Sequence, residues 1–422
     1  MPALIVAIPL FDNKMTVKAY KMCGHNTDIT LDIRDDFRGR SQIYYLPGLE
    51  VIQKVGLEPF SGERPLFVET NRFHILTGMF TNKNIPADKL ILTIPASIST
   101  DDKLLAGLFS LQELGYSIAL DGYPVNGGLA DPLVKYIDHI ILDYRDKRFR
   151  EQFREIKTRL PNIQTILFNI PDMDVYSDYA TRTNTLFTGG FYTHPITESE
   201  EEISPLKVNA LDLLRQINAE DFELKNITQI VERDPSLSIS LLRFINSPAV
   251  GLRSKVNSIS NAVALLGQKE IRRWAIIAIS VGIYKDKPSE ITKLSLVRAK
   301  FAENLATLFE MGIFQNSLFM TGLFSLLDII LKKPMAEAVN EIAVDSLVRE
   351  ALVDNSGSLY RVLDFIYAYE RADWNKATII LVQNSIIAED VGQAYIDAVV
   401  WYHNLLESIN ETEETAQEGK NG

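Results

Sequence analysis

The chain is poor in the residues that build crosslinks and metal centres: its 422 residues include one Cys and five His. One Cys forms no intramolecular disulfide, and without Cys clusters a zinc finger or an iron–sulfur site is excluded. The same scarcity favours a reducing compartment, so the expected localisation is cytoplasmic. No stretch reaches the roughly 18 uninterrupted apolar residues of a spanning helix. The opening MPALIVAIPLFDNK has no basic residue before its apolar run and no small-residue cleavage site, and Asp12 interrupts it, so it reads as neither signal peptide nor membrane span. A glycine-rich phosphate loop is also missing; Gly127-Gly128 and Gly189-Gly190 are isolated pairs that read as turns.

Positive charge is in deficit. Lys and Arg number 43 against 55 Asp and Glu, a formal charge of -12. That sign disfavours broad nucleic-acid binding, and neither nucleic acid nor membrane is an expected partner. The excess is unevenly spread. ITESEEEISP, Ile196–Pro205, holds four Glu, and the tail Glu407–Gly422 five Glu and one Lys, so about -4 remains for the rest. Acidity therefore says little about the folded surfaces.

What is present divides into two grammars. The first half alternates short β-rich runs with helical stretches: Leu4–Phe11, Thr16–Met22, Leu66–Glu69, Leu90–Ile94, Ser117–Asp121, His139–Asp143, Thr165–Asn169 and Thr185–Phe187. Between two of them, Lys103–Leu114 puts Leu104, Leu105, Leu108 and Leu111 on one helical face. Near-continuous apolar strands separated by helices predict a mainly parallel sheet covered outside, and about eight units in under 200 residues predict a barrel. After His194-Pro195 the period turns helical. Ile227, Ile230 and Val231 share a face, as do Leu237, Leu241 and Ile245. Ser258 is a natural cap for a helix that buries Ile259, Ala262, Val263 and Leu266 and stops at Gly267, and Phe319–Leu331 reads as one central buried helix. The expected class is a multi-domain α/β plus all-α chain: a barrel over residues 1–196, an acidic linker 197–205, a helical domain 206–406 and a disordered acidic tail 407–422.

Four segments in this order, IPLFDNKMTVKAYKM, ALDGY (Ala119–Tyr123), IDHIILD (Ile137–Asp143) and FTGGFYTHP (Phe187–Pro195), resemble the EAL family of cyclic di-GMP phosphodiesterases, TIM-barrel-like enzymes that hydrolyse a bacterial second messenger. In the second half, Ile230–Trp274, with FMTGLFSLLDIIL (Phe319–Leu331) and ALVDNSGSLYRVLDFIYAYERADW (Ala351–Trp374), resembles HDOD domains, helical relatives of the HD phosphohydrolases.

The EAL resemblance implies carboxylates and an Asn at the C-terminal ends of strands, holding two divalent cations that activate water and clamp a phosphodiester. Carried over residue by residue, the naming Glu falls at Lys21, the Asn at Glu69, the next Glu at Thr93, the Asp pair at Asp121-Gly122, and a later Glu at Asn169. The Lys expected before Asp143 falls at Ile141, and the Gln at Thr188. An ammonium at Lys21 repels the cation that a Glu there would bind. The pocket Lys21, Glu69, Thr93, Asp121, Asp143, Asn169 and Thr188 is therefore read as vestigial, with Lys21 expected to pair with Asp121 or Asp143 in the old cation position. No catalytic residue, metal or cofactor is expected. HD hydrolysis needs a His-Asp pair and further His ligands, and no His lies between His194 and His403.

The remaining singular residues fit backbone or core tasks. Asp234-Pro235 is a helix break and cap, Asn246 a helix end, Trp274 a core residue on the face of Ile271 and Ile277, and Cys23 a small core residue on a strand. What the resemblance implies is a non-catalytic bacterial signalling protein acting through protein partners, its HDOD domain serving as output or scaffold. The alternatives are a cyclic di-GMP receptor that does not hydrolyse its ligand, and an active phosphodiesterase with unusual ligands.

Overall fold

The computed structural model describes residues 3–26, 47–78, 80, 86–124, 128–193, 223–233, 235–246, 256, 258–282, 290–331, 333–342 and 344–418. Contacts divide the chain into two compact units: Met1–His194 with Tyr367–Tyr395, and Pro195–Ile366 with Ile396–Gly422.

The first unit is built on eight strands: β1 (Ala3–Phe11), β2 (Val17–Asn26), β3 (Leu66–Glu69), β4 (Leu90–Pro95), β5 (Ser117–Asp121), β6 (His139–Asp143), β7 (Gln164–Ile170) and β8 (Thr185–Gly189). They close into a barrel in chain order. Successive strands from β2 to β8 are parallel, whereas β1 runs antiparallel to β2 and meets β8 at the single pair Phe11↔Phe187. The exception has a local cause. The loop after β1 is a tight turn in which the Asp12 carboxylate accepts from the Lys14 and Thr16 amides at 2.8 and 3.0 Å, and so short a connection can join only antiparallel strands.

Between β4 and β5 lies the helix Asp102–Glu113, capped by Asp101, whose carboxylate accepts from the Leu104 amide. Leu104, Leu108 and Leu111 are buried as their spacing predicts, and Leu105 is half-buried at the edge of that stripe. Inside the barrel, Leu10, Ala19, Phe67, Ile91, Ala119, Ile141, Ile166 and Leu186 form one apolar layer, with Phe168 packed against it. Each parallel strand contributes one residue of the layer, so the period of two carries the interior face on to residues two further along, toward the C-terminal mouth.

Tyr367–Tyr395 corrects the expected boundaries, since the sequence reading placed it in the helical domain. It groups with the barrel because β1 leaves polar backbone unpaired along the seam that β8 does not cover. The Tyr369 hydroxyl donates to the Ile5 carbonyl at 2.7 Å and accepts from the Ile5 amide at 3.1 Å, and the Tyr395 hydroxyl accepts from the Ala7 amide at 3.2 Å. A buried strand edge needs such partners.

The second unit is helical among its described residues. Ile227 and Val231 are buried on Leu224–Arg233, and Leu241 and Ile245 on Pro235–Asn246. Asn246 ends its helix by clasping Val256, accepting from its amide and donating to its carbonyl at 2.8 Å each. Ser258 caps the next helix through the Asn261 amide. Gly267 stops that helix as expected: at φ 69° and ψ 178° its backbone is non-helical, and a second helix that begins in QKEIRRW runs on to Gly282, since glycine takes this conformation at little cost.

Phe319–Leu331 is likewise two helices, Gln315–Phe324 and Leu327–Leu331. At the break the Ser325 hydroxyl donates to the Gly322 carbonyl and receives Arg298, so side-chain bonds replace the backbone ladder. Trp274 is 2% exposed, a core residue. The tail is also corrected: Ala388–Glu418 is one helix, because its Glu, Ala and Gln extend a turn already nucleated. The linker 197–205 and Asp234 lie outside the described residues.

Candidate functional site

Stepping two residues on from the apolar layer brings Lys21, Glu69, Thr93, Asp121, Asp143, Phe168 and Thr188 to the C-terminal mouth on the interior face. The Lys21 ammonium lies 2.8 Å from Asp121 Oδ2 and 3.9 Å from Glu69 Oε1, over the Phe168 ring at 5.3 Å. Lys21 is 6% exposed. Burial works against its charge, but Cys23, Asp121 and Glu69 outweigh it and hold the pKa above the ordinary lysine value. The side chain is thus a fixed cation at neutral pH. Glu69 shifts upward through burial, opposed by Lys21 and reinforced by Asp121.

Asp143 belongs to a second cluster. Arg145 grips it with Nη2 at 2.7 Å and Nε at 3.1 and 3.2 Å, and Asn169 Nδ2 donates to it at 2.9 Å. Burial raises its pKa, but these bonds prevail and leave it below the ordinary carboxylate value. Asn169 reaches Asp143 from a backbone at φ 61°, beside the register break between β7 and β8.

The structure therefore joins Lys21 to Asp121, one of its two expected partners, and holds Asp143 elsewhere. Thr93 and Thr188, each 1% exposed, have hydroxyls with no hydrogen-bond partner among the described residues. Sequence reasoning missed Phe168, which takes the interior position beside Asn169 and supplies the ring under Lys21. The alternation Ile166, Phe168 was the available signal.

A pair of divalent cations does not fit this donor set. An ammonium occupies the space between Glu69 and Asp121, Arg145 saturates Asp143, and Thr93 and Thr188 are neutral. Among the described residues no group of three or more His, Cys, Asp or Glu is placed to hold a metal ion. Their helices include none long and apolar enough to cross a membrane.

The fold defines a TIM-type barrel followed by a helical half that carries an HDOD domain: residues 203–354 match that family. Over nearly its whole length the chain is similar to the uncharacterized protein YuxH of Bacillus subtilis, 26% identical across 97% of this chain and 100% of the relative. It is also 25% identical to the cyclic di-GMP phosphodiesterase CdgJ of Vibrio cholerae, across 76% of this chain and 75% of that one. Among solved structures, an EAL domain protein from Listeria monocytogenes overlaps 45% of this chain and 87% of its own at 12% identity and a TM-score of 0.34. The Bacillus subtilis YkuI protein, which has an EAL domain, overlaps 63% and 73% at 16% identity and a TM-score of 0.35. The barrel's class rests on its own strand order, to which overlaps of this size add nothing.

Proposed function

We propose that this chain is a cytoplasmic, non-catalytic signalling protein of a cyclic di-GMP pathway, in which a degenerate phosphodiesterase barrel and an HDOD domain act by binding protein partners. The observation that carries this reading is the Lys21 ammonium between Asp121 and Glu69. Hydrolysis of a phosphodiester on this kind of site needs cations that polarise the phosphate and activate water. A buried lysine brings one charge, no open coordination position and no bound water of low pKa. Arg145 on Asp143 removes a further ligand in the same way. CdgJ bears the name of a phosphodiesterase, so turnover is the outcome to test against.

A second non-catalytic reading, a receptor for cyclic di-GMP, has one observation in its favour: the unpartnered Thr93 and Thr188 hydroxyls, which a polar ligand or water in the mouth would satisfy. Calorimetric titration of the full chain with cyclic di-GMP separates the two. The partner-binding reading predicts no heat of binding at micromolar nucleotide, and saturable heat without hydrolysis transfers the conclusion to the receptor.

A further inference from the structure

The period of two that turns Lys21 inward also turns Cys23 and His25 inward, each a step nearer the open end of the mouth. Cys23 is nonetheless 6% exposed. Beside it, on the next inward residue of β2, stands a group from the far end of the sequence. The Trp374 ring stacks on His25, with centroids 6.0 Å apart and planes 11° from parallel. Tyr369 meets Trp374 edge-on at 5.5 Å and lies against Tyr395 at a 42° tilt and 5.3 Å, so the three rings form one group. That group is bolted to the rim through Ile5 and Ala7 of β1, which stand opposite Gly24 and Met22 of β2. The segment therefore touches the rim at β1 and β2, where His25 under Trp374 lies on the interior face.

We propose that Tyr367–Tyr395 is a strap over the β1–β2 side of the C-terminal mouth of the barrel, shielding Lys21 and Cys23 from that side while Glu69 and Asp121 stay open to solvent, with the Tyr369 and Tyr395 hydroxyls as its latches. This goes beyond the proposed function: it concerns access to the mouth and holds whether or not the barrel takes a nucleotide. It gives the chain a device for regulated opening, since both latches are hydrogen bonds to a strand edge that can exchange for water.

Cys23, the chain's single cysteine, is a built-in reporter of the closure. The experiment is alkylation of the full chain by iodoacetamide at pH 9, read by mass spectrometry, with far-UV circular dichroism as the check on folding. The strap predicts slow labelling of the wild type and labelling at least about tenfold faster in the double variant Tyr369→Phe, Tyr395→Phe and in Trp374→Ala. The control is Tyr176→Phe, which loses a hydroxyl bond of the same kind to the Asp12 carbonyl, at the turn that closes the opposite end of the β1–β2 pair; its rate should match the wild type. Wild-type rates in both latch variants overturn the strap. So does equal acceleration by Tyr176→Phe, which would mean that the label reports general loosening. Because no nucleotide is present, neither result depends on the fate of the functional reading.

Discussion

Replacing Lys21 with Met keeps the length of the side chain and removes its charge, leaving Asp121 and Glu69 at the mouth without their shared counter-ion. At an effective dielectric near 20, an ammonium and a carboxylate about 4 Å apart attract by about 4 kcal/mol. The desolvation of a lysine only 6% exposed consumes much of that. Removing one member of a fully buried pair costs about 3–5 kcal/mol. Here the side chains of Asp121 and Glu69 are 40% and 47% exposed, so water relieves the abandoned carboxylates and the expected loss falls to about 2 kcal/mol.

Its pH dependence follows from Glu69, whose pKa burial raises and Lys21 restrains. An acid with a raised folded pKa contributes stability below its unfolded pKa and loses it as pH rises through the folded value. Without Lys21 the Glu69 pKa climbs further, so the deficit of the variant is under about 1 kcal/mol at pH 4 and about 2 kcal/mol at pH 8. The assay is native-state hydrogen exchange at the Phe67 and Ile91 amides, buried in the barrel, which report this unit and not the helical one. A deficit equal at both pH values, or none at pH 8, refutes the reasoning.

Lys21→Glu places three carboxylates around the point now held by the ammonium. Mn²⁺ should protect that variant against urea in a concentration-dependent way and leave the wild type unchanged. Gly189→Ala should lose the barrel outright or cost more than about 3 kcal/mol, because the residue sits at φ +149° and a Cβ would lie 2.1 Å from the Ile170 carbonyl oxygen; the checks are expression and circular dichroism. Trp274→Ala should cost about 3–5 kcal/mol by urea denaturation of the helical unit. Trp274→Phe should cost well under half of that, since the indole Nε1–H has no partner to lose among the described residues.

The barrel was legible because its signals are local. Each strand is a short apolar run bounded by turn residues, and the eight expected runs match the observed strands to within a few residues. Lys21 opposite Asp121 was legible for a different reason: a lysine at an inward strand position has to find the carboxylates that share its end of the barrel. Asn169 was expected as a pocket residue of its own. Its backbone at positive φ instead sends it to Asp143 and leaves the interior position to Phe168, a matter of strand register that residue types do not disclose. Tyr369 and Tyr395 lie in helical stretches, and nothing within 20 residues of either shows that the seam of β1 needs two hydroxyl partners some 360 to 390 positions away. The stop at Gly267 was legible from the residue type, whereas the break at Ser325 was missed because periodicity sees which face is apolar and not whether the backbone ladder continues across it.

The central claim is that Lys21 has taken the place of the chemistry, and turnover tests it most directly: cyclic di-GMP incubated with the full chain in Mg²⁺ or Mn²⁺, with linear and mononucleotide products resolved by chromatography. The account predicts no product above the buffer control in either metal. Product formation that disappears in Asp121→Ala would contradict it.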